Sequence, residues 1–528
     1  MYKKTKVYLI GSGIASLASA VYLIEDVKID GNNIYILEQD KTPGGSLDGS
    51  GNAKRGFLIR GGRMHEEKFV CYWDLLSKIP SDFDSSKSIK EDIFDYNEKY
   101  VSNAQSRLLK NAKIIDISSF NLSKKDKWDI IKLTLVPEKF LSNKKIQDWF
   151  SEDFFKSNFW LLWTTTFAFQ KWSSLVEMRR YFKRFMHLFP NLHKLGGIMR
   201  TRYNQYDSVI TPIKKYLKNK GVHLNFGVQV VDIGFNEITS TKKIATAIKY
   251  IKNNKQKVIT LDKNDYVFIT NGSIVDSSSV GSMTKPPIQK TKKSSGSWAL
   301  WEKIVQKNSD FGNPGAFSNQ IDLQKWVSFT VTLKDPTFFR HMSKTYGYIP
   351  GVDGLMTITD SNWLLSLVLA AQPHFISQPE EVEVFWGYGL YPDKIGNFIK
   401  KKMSECTGEE ILTELFRHLK INNKMKSVIK EKKINCLPVM MPFIDSAFMP
   451  RKMGDRPKVV PKGAANFAFL GQFTEIPKDC VFTVEYSVRS AQIAVYSHFK
   501  IKKEVLPVYV GGIHISPLLN ALKTIIRK

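Results

Sequence analysis

A glycine-rich turn near the N-terminus has the spacing of a loop that holds a pyrophosphate. The pattern is Gly11-x-Gly13-x-x-Ser16, and it follows the apolar run Val7 to Ile10. Glycine at the first two positions lets the backbone turn tightly and approach the phosphates, whose charge is stabilised by free N–H groups at a helix N-terminus. Ser16 replaces a third glycine and is small enough for a helix to pack closely on a strand. We therefore expect Gly11, Gly13, Ala15 and Ser16 to contact a dinucleotide.

A carboxylate and a second glycine motif follow at positions suited to the same ligand. The apolar run Ile34 to Leu37 predicts a second strand, and Glu38 comes 38 − 13 = 25 residues after the second glycine. A carboxylate at that place can accept hydrogen bonds from a ribose diol. A glycine pair and a downstream cation resemble the FAD-binding domain of two-domain flavoproteins more than an NAD-binding domain. The residues that this adds to the expected cofactor contacts are Gln39, Gly45, Ser46 and Arg63.

The elements that must position these residues are spread along the chain, which predicts a discontinuous domain. The β-rich runs 222–233 and 258–270 return the chain to the sheet, and a strand at 467–471 with a helix at 483–496 closes it. We predict an α/β fold in which a Rossmann-like, GR2-type FAD-binding domain accompanies a mixed α+β substrate domain and a helical C-terminal segment. The later runs add Val230, Asn271, Gly272 and Ser273 to the cofactor site. The predicted boundaries assign 1–80, 201–285 and 436–500 to the FAD-binding domain, 81–200 (mainly helical) and 286–435 to the substrate domain, and 501–528 to the C-terminal segment.

Composition limits the classes of partner. The 528 residues are 43% apolar and 24% charged, which excludes a disordered or collagen-like chain. Lys plus Arg exceeds Asp plus Glu by 78 − 50 = 28, so an anionic partner is expected. The charge is spread along the chain without a recognition motif, so we predict no nucleic-acid binding. Four widely spaced cysteines and nine scattered histidines show no ligand spacing, which predicts no metal site and suits a reducing cytosol.

A series of collinear motifs resembles the oleate hydratases, the FAD-containing fatty acid hydratases once called myosin-cross-reactive antigens. The resemblance implies addition of water across a cis double bond, typically at C9 of an unsaturated fatty acid such as oleate, to give a 10-hydroxy fatty acid without net redox change. It spans nearly the whole chain. The motifs are RGGR at 60–63, CYWDL at 71–75, TTTFAF at 164–169, YNQYDS at 203–208, DSNW at 360–363, QPHF at 372–375, FMPR at 448–451, GQF at 471–473 and EYSVR at 485–489.

The resemblance implies that Tyr181 protonates the alkene, and nearby cations would help a weakly acidic phenol by stabilising phenolate. The structural alternative is an amphipathic helix with a solvated basic face. Many relatives have glutamate directly after Arg-Gly-Gly-Arg, where this chain has Met64, which cannot accept a proton. We hypothesise that His65, Glu66 or Glu67 replaces the missing base. Surface positions for all three, or water held by the flavin, are the alternatives.

The residues expected to anchor the fatty acid carboxylate also differ in part from the family pattern. Gln205 and His374 match residues that the resemblance implies hold the head group, and Asn204 is added to the expected substrate contacts. The hydroxyl and amide side chains expected shortly before His374 are replaced by Val368 and Ala370. We expect a different anchoring geometry, with Arg202 or another cation taking part.

The last residues predict a route for an insoluble substrate. Ser516-Pro517 is typical of a helix start, and the following apolar face with Lys523, Arg527 and Lys528 suits an anionic membrane interface, although packing against the core would serve the same face. Trp363 to Ala371 is too short to span a bilayer. We expect a cytoplasmic protein, peripheral on the inner face of the membrane, and a homodimer is possible.

Two other functions share these motifs. A lipid-acting flavin oxidoreductase or double-bond isomerase would use the same cofactor with redox cycling. A non-catalytic flavoprotein that only binds lipid is the third hypothesis, because Met64, Val368 and Ala370 all depart from the pattern.

Overall fold

The computed structural model describes residues 2, 4–62, 64–101, 103, 106–117, 119–191, 194, 197–236 and 241–511. Two predictions, Arg63 as a cofactor contact and the helix from Ser516, lie outside the described residues. In the described ranges no helix is both long enough and apolar enough to cross a membrane.

The described residues contain both helices and strands along the whole chain. The helices are α1 (Ile14–Glu25), α2 (Val70–Leu76), α3 (Ile89–Lys99), α4 (Lys124–Leu135), α5 (Asn158–Phe167), α6 (Leu175–Phe185), α7 (Thr211–Asn219), α8 (Ser297–Val305), α9 (Gly315–Ser318), α10 (Ile321–Gln324), α11 (Thr337–Tyr346), α12 (Gly408–His418), α13 (Asn422–Lys430) and α14 (Val484–His498). The strands are β1 (Val7–Ile10), β2 (Ile34–Leu37), β3 (Gly49–Asn52), β4 (Gly56–Ile59), β5 (His65–Glu66), β6 (Arg107–Lys110), β7 (Lys113–Ile114), β8 (Ile198–Met199), β9 (His223–Asn225), β10 (Gln229–Asn236), β11 (Ile244–Lys252), β12 (Lys255–Thr260), β13 (Tyr266–Thr270), β14 (Ser279–Val280), β15 (Trp326–Leu333), β16 (Met356–Ile358), β17 (Leu365–Leu369), β18 (Glu383–Gly389), β19 (Ile434–Met441) and β20 (Phe467–Leu470).

A five-stranded parallel sheet in the order β20-β13-β1-β2-β9 confirms the predicted discontinuous α/β fold. Val7 of β1 pairs with Tyr266 on one side and Ile34 on the other, so segments more than 200 residues apart lie side by side. The strands are short and almost entirely apolar because both faces are covered, one by α1 and α14 and the other by α8 with β10 and β11. Since the strands run parallel, the residues that follow β1, β2 and β13 meet at one edge of the sheet.

A second, mixed sheet has the order β14-β19-β15-β18-β17-β16-β6-β7. Two of its strands contain residues that the predicted boundaries assign to the FAD-binding domain. β14 precedes the boundary at 285/286, and β19 crosses the boundary at 435/436 because it pairs along its whole length with β15. The helical segment 81–200 also contributes β6 and β7 to this sheet. A three-stranded antiparallel sheet, β10-β11-β12, lies between β9 and β13 in sequence.

Candidate active site

A cavity of about 270 Å³ lies where the mixed sheet faces helix α6. The sheet contributes Trp326, Val368, Trp386 and Tyr388 to its wall, and α6 contributes Tyr181 and Phe185. Most of the remaining wall is apolar, which suits a long hydrocarbon chain. The structure brings six of the predicted substrate and catalytic residues to this cavity: Met64, His65, Glu66, Tyr181, Gln205 and His374.

Tyr181 is held firmly in the cavity wall. Its ring lies among the aromatic rings of Phe167, Phe169 and Phe448, with centroids 4.3 to 5.7 Å apart in this cluster. Its hydroxyl donates a hydrogen bond of 2.6 Å to the Val481 carbonyl. The aromatic packing and this hydrogen bond fix the position of the phenol in the cavity wall, as a positioned acid requires.

The basic side of α6 is buried, which corrects the alternative of a solvated face. Arg180 binds Glu138 at 2.8 Å and Glu475 at 2.7 Å, and its side chain is 3% exposed. Glu177 of the same helix binds Arg451 at 2.9 Å and Arg456 at 2.8 Å. The arginines around Glu177 outweigh the effect of burial and hold the pKa of this carboxyl at about 2. These pairs fix the rotation of α6, and with it the direction of Tyr181.

His65 is buried at the cavity with neither ring nitrogen hydrogen-bonded to any described residue. Its ring stacks on Tyr72, with centroids 5.0 Å apart and planes 3° apart. Burial lowers the pKa of His65 to about 4, so the imidazole is neutral at pH 7. A neutral imidazole with a free lone pair can accept a hydrogen bond from water. Met64, at the position of the family glutamate, lines the same cavity and offers no such acceptor.

The two glutamates after His65 differ in burial. Glu66 is buried at the cavity and lies 3.4 Å from the Arg184 guanidinium and 3.3 Å from His187 Nε2. Glu67 is 64% exposed, binds Lys68 at 3.3 Å and does not line the cavity, so the structure places it away from the predicted base position. The difference arises because Glu66 is the last residue of β5, whereas Glu67 lies in the turn that follows the strand.

The expected head-group residues are divided between the cavity and its support. Gln205 and His374 line the cavity, and Gln205 Nε2 donates to the Gly61 carbonyl at 2.9 Å. Burial lowers the pKa of His374 to about 4, so its ring is a neutral hydrogen-bonding group rather than a cation. Asn204 does not line the cavity. Its amide donates to Asp207 and to the His374 carbonyl at 2.8 and 2.9 Å, so it supports the loops instead of touching substrate.

Three residues of the wall were missed or left without a role by sequence reasoning. Arg200 and Thr201 line the cavity beside the predicted Arg202, and Trp386 of β18 lines it as well. Arg200 donates to the backbone carbonyls of Gly351 and Asp353. The polar residues directly before the motif at 203–205 could have indicated Arg200. The position of Trp386 in the wall depends on the pairing of β18 with distant strands, which a local pattern does not show.

The predicted cofactor residues meet at the edge of the parallel sheet. Gly11 has φ +88°, and Gly13 is the N-cap residue of α1 with no atom within 4 Å of an added Cβ. Gly45 lies against this turn, because a Cβ on Gly45 would come within 3.3 Å of Gly13 Cα. A glycine cradle that leaves open space before a helix N-terminus fits a pyrophosphate.

Glu38 and Asn271 add polar groups to this edge. The Glu38 carboxylate accepts from the Ser12 N–H at 2.7 Å and from the Asp40 N–H at 2.8 Å, and burial raises the pKa of this carboxyl. It retains lone pairs for a ribose diol. Asn271 is 1% exposed, and neither its amide nitrogen nor its oxygen has a hydrogen-bond partner among the described residues. A buried amide without a partner fits a polar ligand at this place.

The remaining predicted cofactor residues surround the same edge. Ser16 Oγ lies 3.2 Å from Thr270 Oγ1, which ties α1 to β13. Gly272 has φ +57° and packs under the Trp298 ring. Ala15 is buried in α1, Val230 is buried in β10, and Gln39, Ser46 and Ser273 lie at or near the surface of the cleft. Arg60 connects this edge of the sheet to the cavity, since it lines the cavity and donates to the Gly45 carbonyl at 2.9 Å.

Replacing Gly13 by Ala should weaken flavin binding about tenfold, because the new methyl group occupies the space that we assign to the phosphates. Gly13 has φ −67°, which alanine adopts without strain, and no protein atom opposes the added carbon. Flavin titration followed by fluorescence quenching measures the change. The thermal unfolding temperature of the cofactor-free variant serves as the control and should match that of the wild type. Unchanged flavin affinity would contradict the assignment of this turn.

Comparison with known proteins agrees with this arrangement. A family model described as the MCRA family matches residues 4–496. An oleate hydratase of Streptococcus pyogenes serotype M49 (strain NZ131) is 40% identical, and the alignment covers 97% of this chain and 88% of the relative. A linoleate hydratase of Lactiplantibacillus plantarum is 33% identical over 94% of each chain.

Among solved structures, the cyclohexylamine oxidase from Brevibacterium oxydans IH-35A has a TM-score of 0.55 at 11% identity, covering 94% of this chain and 99% of that chain. At this identity the likeness shows a shared fold. The resemblance inferred from the motifs is confirmed by the family match and the two relatives. The chain belongs to the MCRA family.

Proposed function

We propose that this protein is a fatty acid hydratase that adds water across a cis double bond of an unsaturated fatty acid such as oleate. The observation that carries the proposal is the meeting of Tyr181, a fixed phenol, and His65, a neutral imidazole, in one largely apolar cavity. An alkene is uncharged and unreactive toward water, so its hydration needs a proton donor and a held water molecule beside the same bond. Both relatives are named as hydratases of unsaturated fatty acids.

The reaction assigns one proton transfer to each group. Tyr181 gives its hydroxyl proton to one alkene carbon, and the electrons of the double bond form the new C–H bond. The water molecule adds its oxygen to the other carbon and releases a proton to His65. The product is a hydroxy fatty acid with no net redox change, and exchange of a proton with solvent resets the two side chains.

His65 is a better acceptor than Glu66 for this proton. Both residues line the cavity, but Glu66 is already engaged by Arg184 and His187. The Glu66 carboxylate is thus held by these two partners and is not free to orient an attacking water molecule. His65 has two ring nitrogens without a described partner and no competing charge. Glu66 is therefore assigned to positioning Arg184, which also donates to the Lys68 carbonyl and so holds the segment after β5 against α6.

FAD is the proposed cofactor, held by the glycine turn at 11–13, Gly45, Glu38 and Asn271. When bound, FAD would supply a polar ring system with no change of redox state over the cycle. Arg60, which lines the cavity and donates to the Gly45 carbonyl, would connect the cofactor residues to the cavity.

The carboxylate of the fatty acid requires a cation, because His374 is neutral and Val368 and Ala370 are apolar. Arg202 supplies it. Arg202 lines the cavity, and its guanidinium lies 5.4 Å from the Phe83 ring centroid and 3.2 Å from Asp92. With a side chain 44% exposed, it can turn toward a second carboxylate. Gln205 and His374 would complete the head-group site by N–H donation.

The Arg202→Gln substitution should raise KM for a fatty acid about tenfold with little change in kcat, because the head group is held equally in the ground state and the transition state. Steady-state kinetics with the product measured by gas chromatography gives both constants. Arg340→Gln, an exposed arginine outside the cavity, is the matched control. An unchanged KM for Arg202→Gln together with a raised KM for His374→Ala would move the head group to the wall formed by Gln205 and His374.

The function itself is tested with purified protein, FAD and a panel of unsaturated fatty acids in ¹⁸O-labelled water. A mass increase equal to one labelled water, with the flavin spectrum unchanged over turnover, is the expected result. A product lacking the label with a shifted double bond, or stoichiometric flavin reduction, would identify an isomerase or oxidoreductase. Binding without any product would identify a lipid-binding protein.

The substrate partitions into membranes, so we propose a cytoplasmic protein that visits the inner membrane surface. The C-terminal segment with Lys523, Arg527 and Lys528 remains the proposed anchor. A homodimer also remains a proposal, and sedimentation analysis of the full chain tests it.

A further inference from the structure

Helix α4 carries an apolar stripe on the side that faces solvent. Trp128 is 66% exposed and Leu135 is 73% exposed, and they lie seven residues apart on one face of the helix with Ile131 between them. The inward side of the same helix is filled by Asp126, Ile130 and Leu133, so the stripe is not required by the core. Large exposed apolar side chains grouped on one helix face indicate an interaction surface.

The stripe continues at Phe140, which follows α4 by one short turn and is 59% exposed. We call the group of Trp128, Ile131, Leu135 and Phe140 the α4 surface. Aromatic and aliphatic residues grouped in this way are typical of segments that lie in the interface of a bilayer.

Uncompensated positive charge surrounds the α4 surface. Residues 124–145 contain seven lysines and three acids, a net charge of 7 − 3 = +4. All three acids are engaged: Asp126 accepts from Ser123 in a capping box, Asp129 binds Lys125 at 2.7 Å, and Glu138 binds Arg180. The lysines on the exposed side, Lys124, Lys132 and Lys139, have no carboxylate partner within 4.0 Å among the described residues.

Helix α4 lies directly behind the catalytic helix. Arg179 of α6 donates to the Thr134 carbonyl at 3.2 Å, and Arg180, next to Tyr181, binds Glu138 at 2.8 Å. The α4 surface therefore points away from the cavity while its helix is tied to the element that carries Tyr181. A partner bound there would lie on the outer side of the cavity wall.

We propose that the α4 surface docks on an anionic phospholipid bilayer. Apolar side chains would enter the interface while the surrounding lysines contact lipid phosphates. Charge argues against other occupants: a second copy of this chain carries the same net charge of +28, and residues 512–528 carry three cations and no acid. The inference rests on the proposed function only for the reason to visit a membrane, since the bilayer would be the source of fatty acid.

Sedimentation with vesicles tests the proposal without using catalysis. The full-length protein is mixed with vesicles of phosphatidylcholine alone or with 30% phosphatidylglycerol, and the bound fraction gives a partition coefficient. The double variant Trp128→Ala/Leu135→Ala should bind the anionic vesicles about tenfold more weakly. A second double variant, Lys124→Glu/Lys132→Glu, should lose binding and most of its dependence on salt. The matched control is Val258→Ala/Ile288→Ala, two aliphatic residues of 56% and 72% exposure elsewhere on the surface, which should bind as the wild type does.

Three outcomes would overturn the proposal. The first is an unchanged partition coefficient for both double variants. The second is unchanged vesicle binding with an altered sedimentation coefficient in Trp128→Ala/Leu135→Ala, which would make the surface a contact between copies. The third is wild-type binding by that variant together with complete loss on deleting residues 512–528, which would assign docking to the C-terminal segment alone.

Discussion

Replacing Tyr181 by Phe lowers the rate of hydration by about 10² to 10⁴-fold, the range by which a positioned acid accelerates proton transfer. The phenylalanine ring keeps the contacts with Phe167, Phe169 and Phe448, so the cavity retains its shape. The change removes the hydroxyl that donates to the Val481 carbonyl at 2.6 Å, which is the acid that we assign to the alkene. Single-turnover rates with oleate in the FAD-loaded protein measure the effect.

Tyr388 provides the matched control for this substitution. It is also a buried tyrosine of the cavity wall, and its hydroxyl donates to a backbone carbonyl, that of Thr165, at 2.5 Å. Tyr388→Phe therefore loses a hydrogen bond of the same kind, worth about 1 kcal/mol, and should lose a similar amount of stability. We expect it to retain turnover within a few-fold. Equal rates for the two variants would show that the hydroxyl of Tyr181 stabilises the fold and does not take part in the reaction.

The local sequence pattern was sufficient to predict that the proposed cofactor residues lie together. Gly11, Gly13 and Glu38 lie within one βαβ unit, in which the loop length and strand direction place them together whatever the rest of the chain does. The boundary near β19 needed non-local information. The apolar residues of β19 suit either sheet, and only its pairing with β15, more than 100 residues earlier, assigns it to the mixed sheet.

The sequence did not show which of two neighbouring residues lines the cavity. Asn204 and Gln205 are both amides in one motif, but the start of the following helical turn directs Gln205 into the cavity and turns Asn204 toward the His374 loop. Glu66 and Glu67 differ for a related reason, because the pairing of β5 with β8 decides which carboxylate is buried. Such pairing is set by contacts across the chain, so residue type alone left these positions equivalent.

The His65→Gln substitution should reduce hydration about 100-fold at pH 7, because glutamine can hold a water molecule but cannot take its proton. The burial that lowers the pKa of His65 to about 4 also predicts the pH dependence. The wild type should keep its rate between pH 7.5 and 5.5, since the imidazole stays neutral, and lose it as the pH falls toward 4. A histidine with the ordinary pKa of about 6.5 would already have lost most of its activity at pH 5.5. His374 shares the low pKa, so the profile of His374→Ala is recorded beside it. Glu67→Gln, on the exposed neighbour, is the control and should leave the rate unchanged.

The pH dependence of the free energy of unfolding is a second measure of His65 protonation. Its sign follows from the pKa of His65 in the folded and unfolded states. Below pH 6.5 the unfolded chain takes up a proton on His65 that the folded protein refuses until about pH 4, so acidification favours unfolding through this interval. For a fully buried imidazole the contribution at pH 4.5 amounts to roughly 2 to 3 kcal/mol. The free energy of unfolding should therefore fall by that much less in His65→Gln than in the wild type between pH 7 and pH 4.5, as measured by urea denaturation. Parallel falls in both proteins would show that His65 is solvated and protonated like an ordinary histidine, and a solvated imidazolium cannot accept the proton of the attacking water.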